Sequence, residues 1–84
     1  MKTETIEIKL ENGLDARPVA LLVQEASKYD SRIYVEADGK RVNAKSIMGM
    51  MTLGLNNGEN LVVTADGEDE DVAILNLEKF LSGK

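Results

Sequence analysis

The chain has no cysteine, no histidine, no tryptophan and a single proline among its 84 residues. Without cysteine there is neither a disulfide framework nor a thiolate nucleophile, and without histidine the commonest metal ligand and the side chain that titrates near neutrality are both missing. No metal and no cofactor are expected. Positive charge is also scarce: 10 Lys and Arg against 15 Asp and Glu give a net charge of -5, and the basic residues are dispersed. That argues against direct contact with nucleic acid or an anionic membrane, both of which call for clustered Lys and Arg. Long apolar runs are lacking as well. Met1 to Leu10 alternates Thr, Glu and Lys with apolar residues, unlike a signal peptide or membrane span, so a soluble, unprocessed, cytoplasmic protein is expected. No base, metal cluster or glycine-rich phosphate loop is present to support independent enzyme chemistry.

What is present is a regular change of period. Residues 1–84 are expected to form one domain with a single core. Ile6, Ile8 and Leu10 alternate with Glu7, Lys9 and Glu11, the pattern of a half-buried strand that Asn12-Gly13 ends. From Ala16 to Lys28 the spacing turns helical, with Val19, Leu22, Val23 and Ala26 on one stripe and Arg17, Leu21 and Gln24 opposite. Ile33, Val35 and Ala37 alternate again, Asp38-Gly39 signals a hairpin, and Arg41 to Asn43 returns as a strand. A short helix from Ile47 to about Leu53 follows, closed by Gly54 and Asn56-Asn57-Gly58. Leu61, Val63 and Ala65 make the last strand, and Glu68 to Asp71 open a helix that buries Ala73, Ile74, Leu77, Phe80 and Leu81. Val72 and Leu75 fall off that stripe. Strands apolar on one face only, with helices between them, predict an α+β open-faced sandwich.

Two runs carry the functional signal: Gly13-Leu14-Asp15-Ala16-Arg17-Pro18 and Lys45-Ser46-Ile47-Met48-Gly49-Met50-Met51. Each sets a side chain with a capping oxygen, Asp15 or Ser46, just before a helix, where free N–H groups and the dipole favour bound negative charge. Phosphoryl handling is the chemistry they suggest, at a surface made of two adjoining helix beginnings. Met50 and Leu53 can point inward, leaving Ile47, Met48 and Met51 on one side of a helix too short to bury every face, and Met-rich exposed surface suits partner binding. Leu21 and Arg17 would extend that patch, Arg17 by pairing bidentately with a phosphate or carboxylate.

These runs, with Leu22-Val23-Gln24-Glu25-Ala26-Ser27-Lys28-Tyr29-Asp30 and Val42-Asn43-Ala44-Lys45, resemble the HPr family over nearly the whole chain. HPr is the small phosphocarrier of the bacterial phosphoenolpyruvate-dependent sugar phosphotransferase system. The resemblance implies a four-stranded antiparallel sheet covered on one face by three helices. It also implies that the residue between Leu14 and Ala16 is the histidine that takes a phosphoryl group from enzyme I and passes it to sugar-specific transporter components; here that residue is Asp15. A carboxylate with a pKa near ~3.9 is already anionic and repels such a donor.

Three readings of Asp15 stand side by side: a plain N-cap, a permanent stand-in for the phosphorylated histidine, and an acyl-phosphate acceptor in a working carrier. Ser46 has two: an ordinary N-cap, or, as the resemblance implies, the serine phosphorylated by the ATP-dependent HPr kinase/phosphorylase beside an apolar partner-docking patch. HPr-like catabolite repression proteins lack the histidine but keep the serine. The resemblance to them implies a regulatory protein that, phosphorylated at Ser46, binds a LacI-type catabolite control regulator through Arg17, Leu21, Lys45, Ile47, Met48 and Met51. The alternative is a phosphocarrier in sugar uptake that uses Asp15, with Arg17 beside it.

Overall fold

Alternation at Ile33-Val35 and Leu61-Val63-Ala65 becomes the buried face of two central strands, each of these residues at most 1% exposed. The computed structural model describes residues 1–10, 16–54 and 56–83, and the expectations for Asn12-Gly13 and Asp15 lie outside them. In chain order the elements are β1 (Lys2–Glu7), α1 (Ala16–Ser27), β2 (Arg32–Ala37), β3 (Lys40–Asn43), α2 (Ile47–Met51), β4 (Asn60–Asp66) and α3 (Glu70–Leu81). The sheet order is β1-β4-β2-β3 with every pairing antiparallel, an order the residue pattern did not dictate. Three helices cover one face and the other is open, as the pattern predicts. One apolar cluster joins the inner strand residues to Val19, Leu22, Val23 and Ala26 of α1, Met50 of α2, and Ala73, Ile74, Leu77 and Leu81 of α3. Fully burying a Val, Leu, Ile or Met side chain contributes roughly 1.5–3 kcal/mol, so this face dominates stability.

The hairpin between β2 and β3 turns on Asp38 (φ 52°) and Gly39 (φ 77°), the paired left-handed residues of a type I′ turn. Gly54 at φ 57° ends the segment after α2, which stops at Met51 rather than near Leu53. Val72 and Leu75 face solvent at 45% and 49% exposure, which accounts for their place off the buried stripe.

Two expectations need correction. The first strand runs over Lys2–Glu7, not Ile6 to Leu10. Beyond Glu7 the chain leaves the regular ladder: the Ile8 N–H donates to the Glu59 carbonyl (2.9 Å) and the Lys9 N–H to the Leu81 carbonyl (2.8 Å). Ile8 is fully buried and Leu10 packs on the core, so the alternation marked burial and not strand pairing. Phe80, expected in the buried stripe, is only partly buried at the core's margin.

The entry to β2 is fastened to the entry to α3. Ser31 is fully buried; its N–H (3.0 Å) and hydroxyl both donate to Asp69 Oδ1, while the Asp30 N–H donates to Oδ2 (2.8 Å). These bonds hold the Asp69 carboxyl below the usual carboxylate range, the Ser31 hydroxyl contributing most. Asp69 stands at the N-cap position of α3 but makes no capping bond. Its charge was legible as a helix-start signal; its partner 38 residues away was not.

Candidate functional site

The turn from β3 into α2 is built by Asn43. Its side-chain Oδ1 accepts the Lys45 N–H at 2.8 Å and its carbonyl accepts the Ser46 N–H at 3.0 Å. That leaves Ser46 extended (φ -112°, ψ 114°), with its Oγ accepting the Gly49 N–H at 3.2 Å, so the serine is the N-cap of α2. A Cβ at position 49 would lie 3.4 Å from Ser46 Oγ and from Val42 Cβ, an ordinary van der Waals contact. No acidic residue lies in the first turn of α2 to complement its N–H groups.

Within α2 only Met50 enters the core. Ile47 is 51% exposed, Met48 84% and Met51 50%, and Leu21 on the adjoining α1 is 46% exposed. The outward assignment of all four holds, and so does the inward one of Met50. α1 and α2 pack against each other, so four large exposed apolar side chains belong to one helix pair. Arg17 is exposed and forms no ion pair among the described residues.

Lys45 has a different setting. Its Nζ donates to the Tyr29 carbonyl at 2.6 Å, just past the end of α1, a helix with no basic residue in its own last turn. The ammonium adds a cation bonded directly to a carbonyl at this helix end, where Lys28 is turned to Glu25. The Tyr29 hydroxyl donates to Glu25 Oε2 (2.7 Å) and accepts from Asn76 Nδ2 of α3 (2.5 Å), and Lys28 pairs with Glu25 at 3.1 Å. The Tyr29 hydroxyl, then Lys28, holds the Glu25 carboxyl low; burial, then Glu25, pushes the Tyr29 hydroxyl up. α2 therefore begins beside the end of α1. The expectation of two adjoining helix beginnings is corrected, because α1 rises roughly 18 Å over its length and Lys45 is tied to the far end.

Among the described residues no three His, Cys, Asp or Glu side chains stand together as a metal site, and no helix is long and apolar enough to cross a membrane. The clasp of Asp69 on Ser31 and the exposed Arg32 and Arg41 were not singled out by sequence reasoning, since neither follows a local motif.

Comparison with known proteins fits this geometry. The family description "PTS HPr component phosphorylation site" matches residues 2–83. The HPr-like protein Crh of Halalkalibacterium halodurans is 47% identical over 81 residues, covering 96% of both chains, and that of Bacillus subtilis is 46% identical over 96% of this chain and 95% of its own. The crystal structure of HPr-C-His from Thermoanaerobacter tengcongensis superposes with a TM-score of 0.92 at 52% identity, covering 100% of this chain and 98% of that one. Helices and sheet thus share the frame of these proteins, and the chain belongs to the HPr family.

Proposed function

We propose that this protein is a regulatory member of the HPr family, phosphorylated at Ser46 by HPr kinase/phosphorylase and then bound, in the cytoplasm, by a LacI-type catabolite control regulator. The observation that carries the reading is the Ser46 hydroxyl at the head of a helix whose Ile47, Met48 and Met51 side chains are left outside the core. In the kinase reaction the serine oxygen attacks the γ-phosphorus of ATP, ADP leaves, and the hydroxyl proton is lost. The product adds about -1.5 to -2 charge at a helix start that has no acidic residue of its own. Negative charge is tolerated there without refolding, so the change is one of surface: a dianion beside an adaptable apolar patch. Leu21 from α1 enlarges the contact, and Arg17, near the other end of α1, offers the partner a bidentate donor. Asp15, at the position that the family resemblance gives to the phosphorylated histidine, fits a protein relieved of carrier duty.

The test has two arms. Incubation with the kinase and labelled ATP should mark the parent protein and not Ser46→Ala, and only the marked protein should bind the regulator. Incubation with enzyme I and labelled phosphoenolpyruvate should leave the chain unmarked. A hydroxylamine-labile label in that second arm, lost in Asp15→Ala, would establish the carrier reading instead.

A further inference from the structure

The bare face of the sheet, opposite the helices, holds a group of side chains for which the Ser46 region has no use. Alternation along the strands sends Arg32 and Tyr34 of β2, Arg41 and Asn43 of β3, and Thr64 and Asp66 of β4 to this side. They line an open hollow of about 500 Å³. That lies in the size range of small-molecule sites, roughly 300–1,000 Å³.

The donors in this hollow are free. Asp66 stands across from Arg32 in the ladder and Glu36 across from Arg41, yet among the described residues neither guanidinium forms an ion pair or a hydrogen bond. Arg41 instead sits over the Tyr34 ring, 4.4 Å from its centroid. A cation–π contact fixes the head group without engaging its N–H edges. Asn43 Oδ1 is held by the Lys45 N–H, which leaves its Nδ2 as a third donor. Two guanidinium groups, the Met1 ammonium and an amide stand against the Asp66 carboxylate, which the Met1 ammonium already meets at 3.7 Å, and the Glu36 carboxylate across from Arg41, so cationic donors outnumber carboxylates here on a chain of net charge -5.

We propose that this hollow binds a small phosphorylated molecule, its phosphate oxygens held by Arg32 and Arg41. Each guanidinium fork matches two oxygens of a phosphate, and three donor groups from two strands suit a tetrahedral oxyanion better than a planar carboxylate. Asn43 also carries the carbonyl that accepts the Ser46 N–H, so the ligand would touch the serine turn from behind.

Pyrophosphate is the probe, titrated into isotope-labelled, unphosphorylated protein at constant ionic strength and followed by amide chemical shifts. Saturable shifts centred on Arg32, Tyr34, Arg41 and Asn43 are expected, weakened about tenfold or more by Arg32→Gln or Arg41→Gln and untouched by Lys79→Gln. Both arginines are exposed, so both variants should fold, which thermal melts check. Shifts that never saturate, that centre on the start of α2, or that survive both arginine variants overturn the proposal. Since Ser46 is unmodified throughout, such a failure leaves the kinase reading untouched.

Discussion

Replacing Lys45 by methionine separates a tether from a surface cation. The ammonium reaches the Tyr29 carbonyl at 2.6 Å from a partly buried position, across 16 residues of sequence. A hydrogen bond with a charged donor is worth about 1.5–3 kcal/mol, and the helix end gains a further ~0.3–1 from the cation. Partial exposure reduces the sum, so Lys45→Met should cost about 1–2 kcal/mol. For a domain of this size that is a fall in Tm of roughly 5–15 °C. Methionine keeps the aliphatic stem, so lost packing contributes little. The measurement is thermal unfolding by circular dichroism at 0.15 and 1 M NaCl, written as about 8 and 3 Å of Debye screening. Because the acceptor is a neutral carbonyl in a half-buried site, the loss should persist in high salt. A variant within about 0.5 kcal/mol of the parent, the range of ordinary surface substitutions, would refute the tether. So would a loss that disappears in 1 M salt.

Gly67→Ala should be strongly destabilising although its backbone conformation is ordinary: the new Cβ would lie 2.6 Å from Ser31 Oγ and 2.7 Å from Ser31 Cα, so the backbone must shift. Overpacking of this kind costs about 1–3 kcal/mol, and urea unfolding with an unchanged midpoint would contradict it. Met50→Ala should cost about 2–5 kcal/mol from the core, whereas Met48→Ala should leave stability within about 0.5 kcal/mol and weaken regulator binding. Paired melts and pull-downs check the contrast. The Asp69 carboxyl, held below its unfolded value, contributes stability that is complete above about pH 4 and is lost as pH falls through the lower folded value. Parent and Asp69→Asn should therefore converge in Tm on acidification below pH ~4; a constant gap from pH 7 to pH 2 would exclude the carboxylate as its source.

The helical stripe Val19, Leu22, Val23, Ala26 and the alternation in β2 and β4 were readable because each element buries one face against a single core. β1 was misplaced for a physical reason. It is an edge strand whose inward positions Lys2 and Glu4 lie at the rim, where charge is allowed, so only Ile6 carries the apolar signal. The cap and the exposed patch at Ser46 were equally legible, being local chemistry of five or six residues. Lys45 and Asp69 were not. Both act on backbone groups brought close by the fold, Tyr29 in one case and Asp30 and Ser31 in the other, and one sequence holds no local trace of such pairs.

The strand order has a cost in time. Lys2 pairs with Ala65 and Glu7 with Asn60, and β4 also supplies the other neighbour of β2, so the sheet has no centre until β4, in the last third of the chain, exists. During synthesis the ribosome must therefore release nearly everything before the first two strands find a partner between them. Until then Ile33 and Val35 lack their β4 neighbours Ala65 and Val63. Such non-local closure slows folding and lengthens the interval in which aggregation competes.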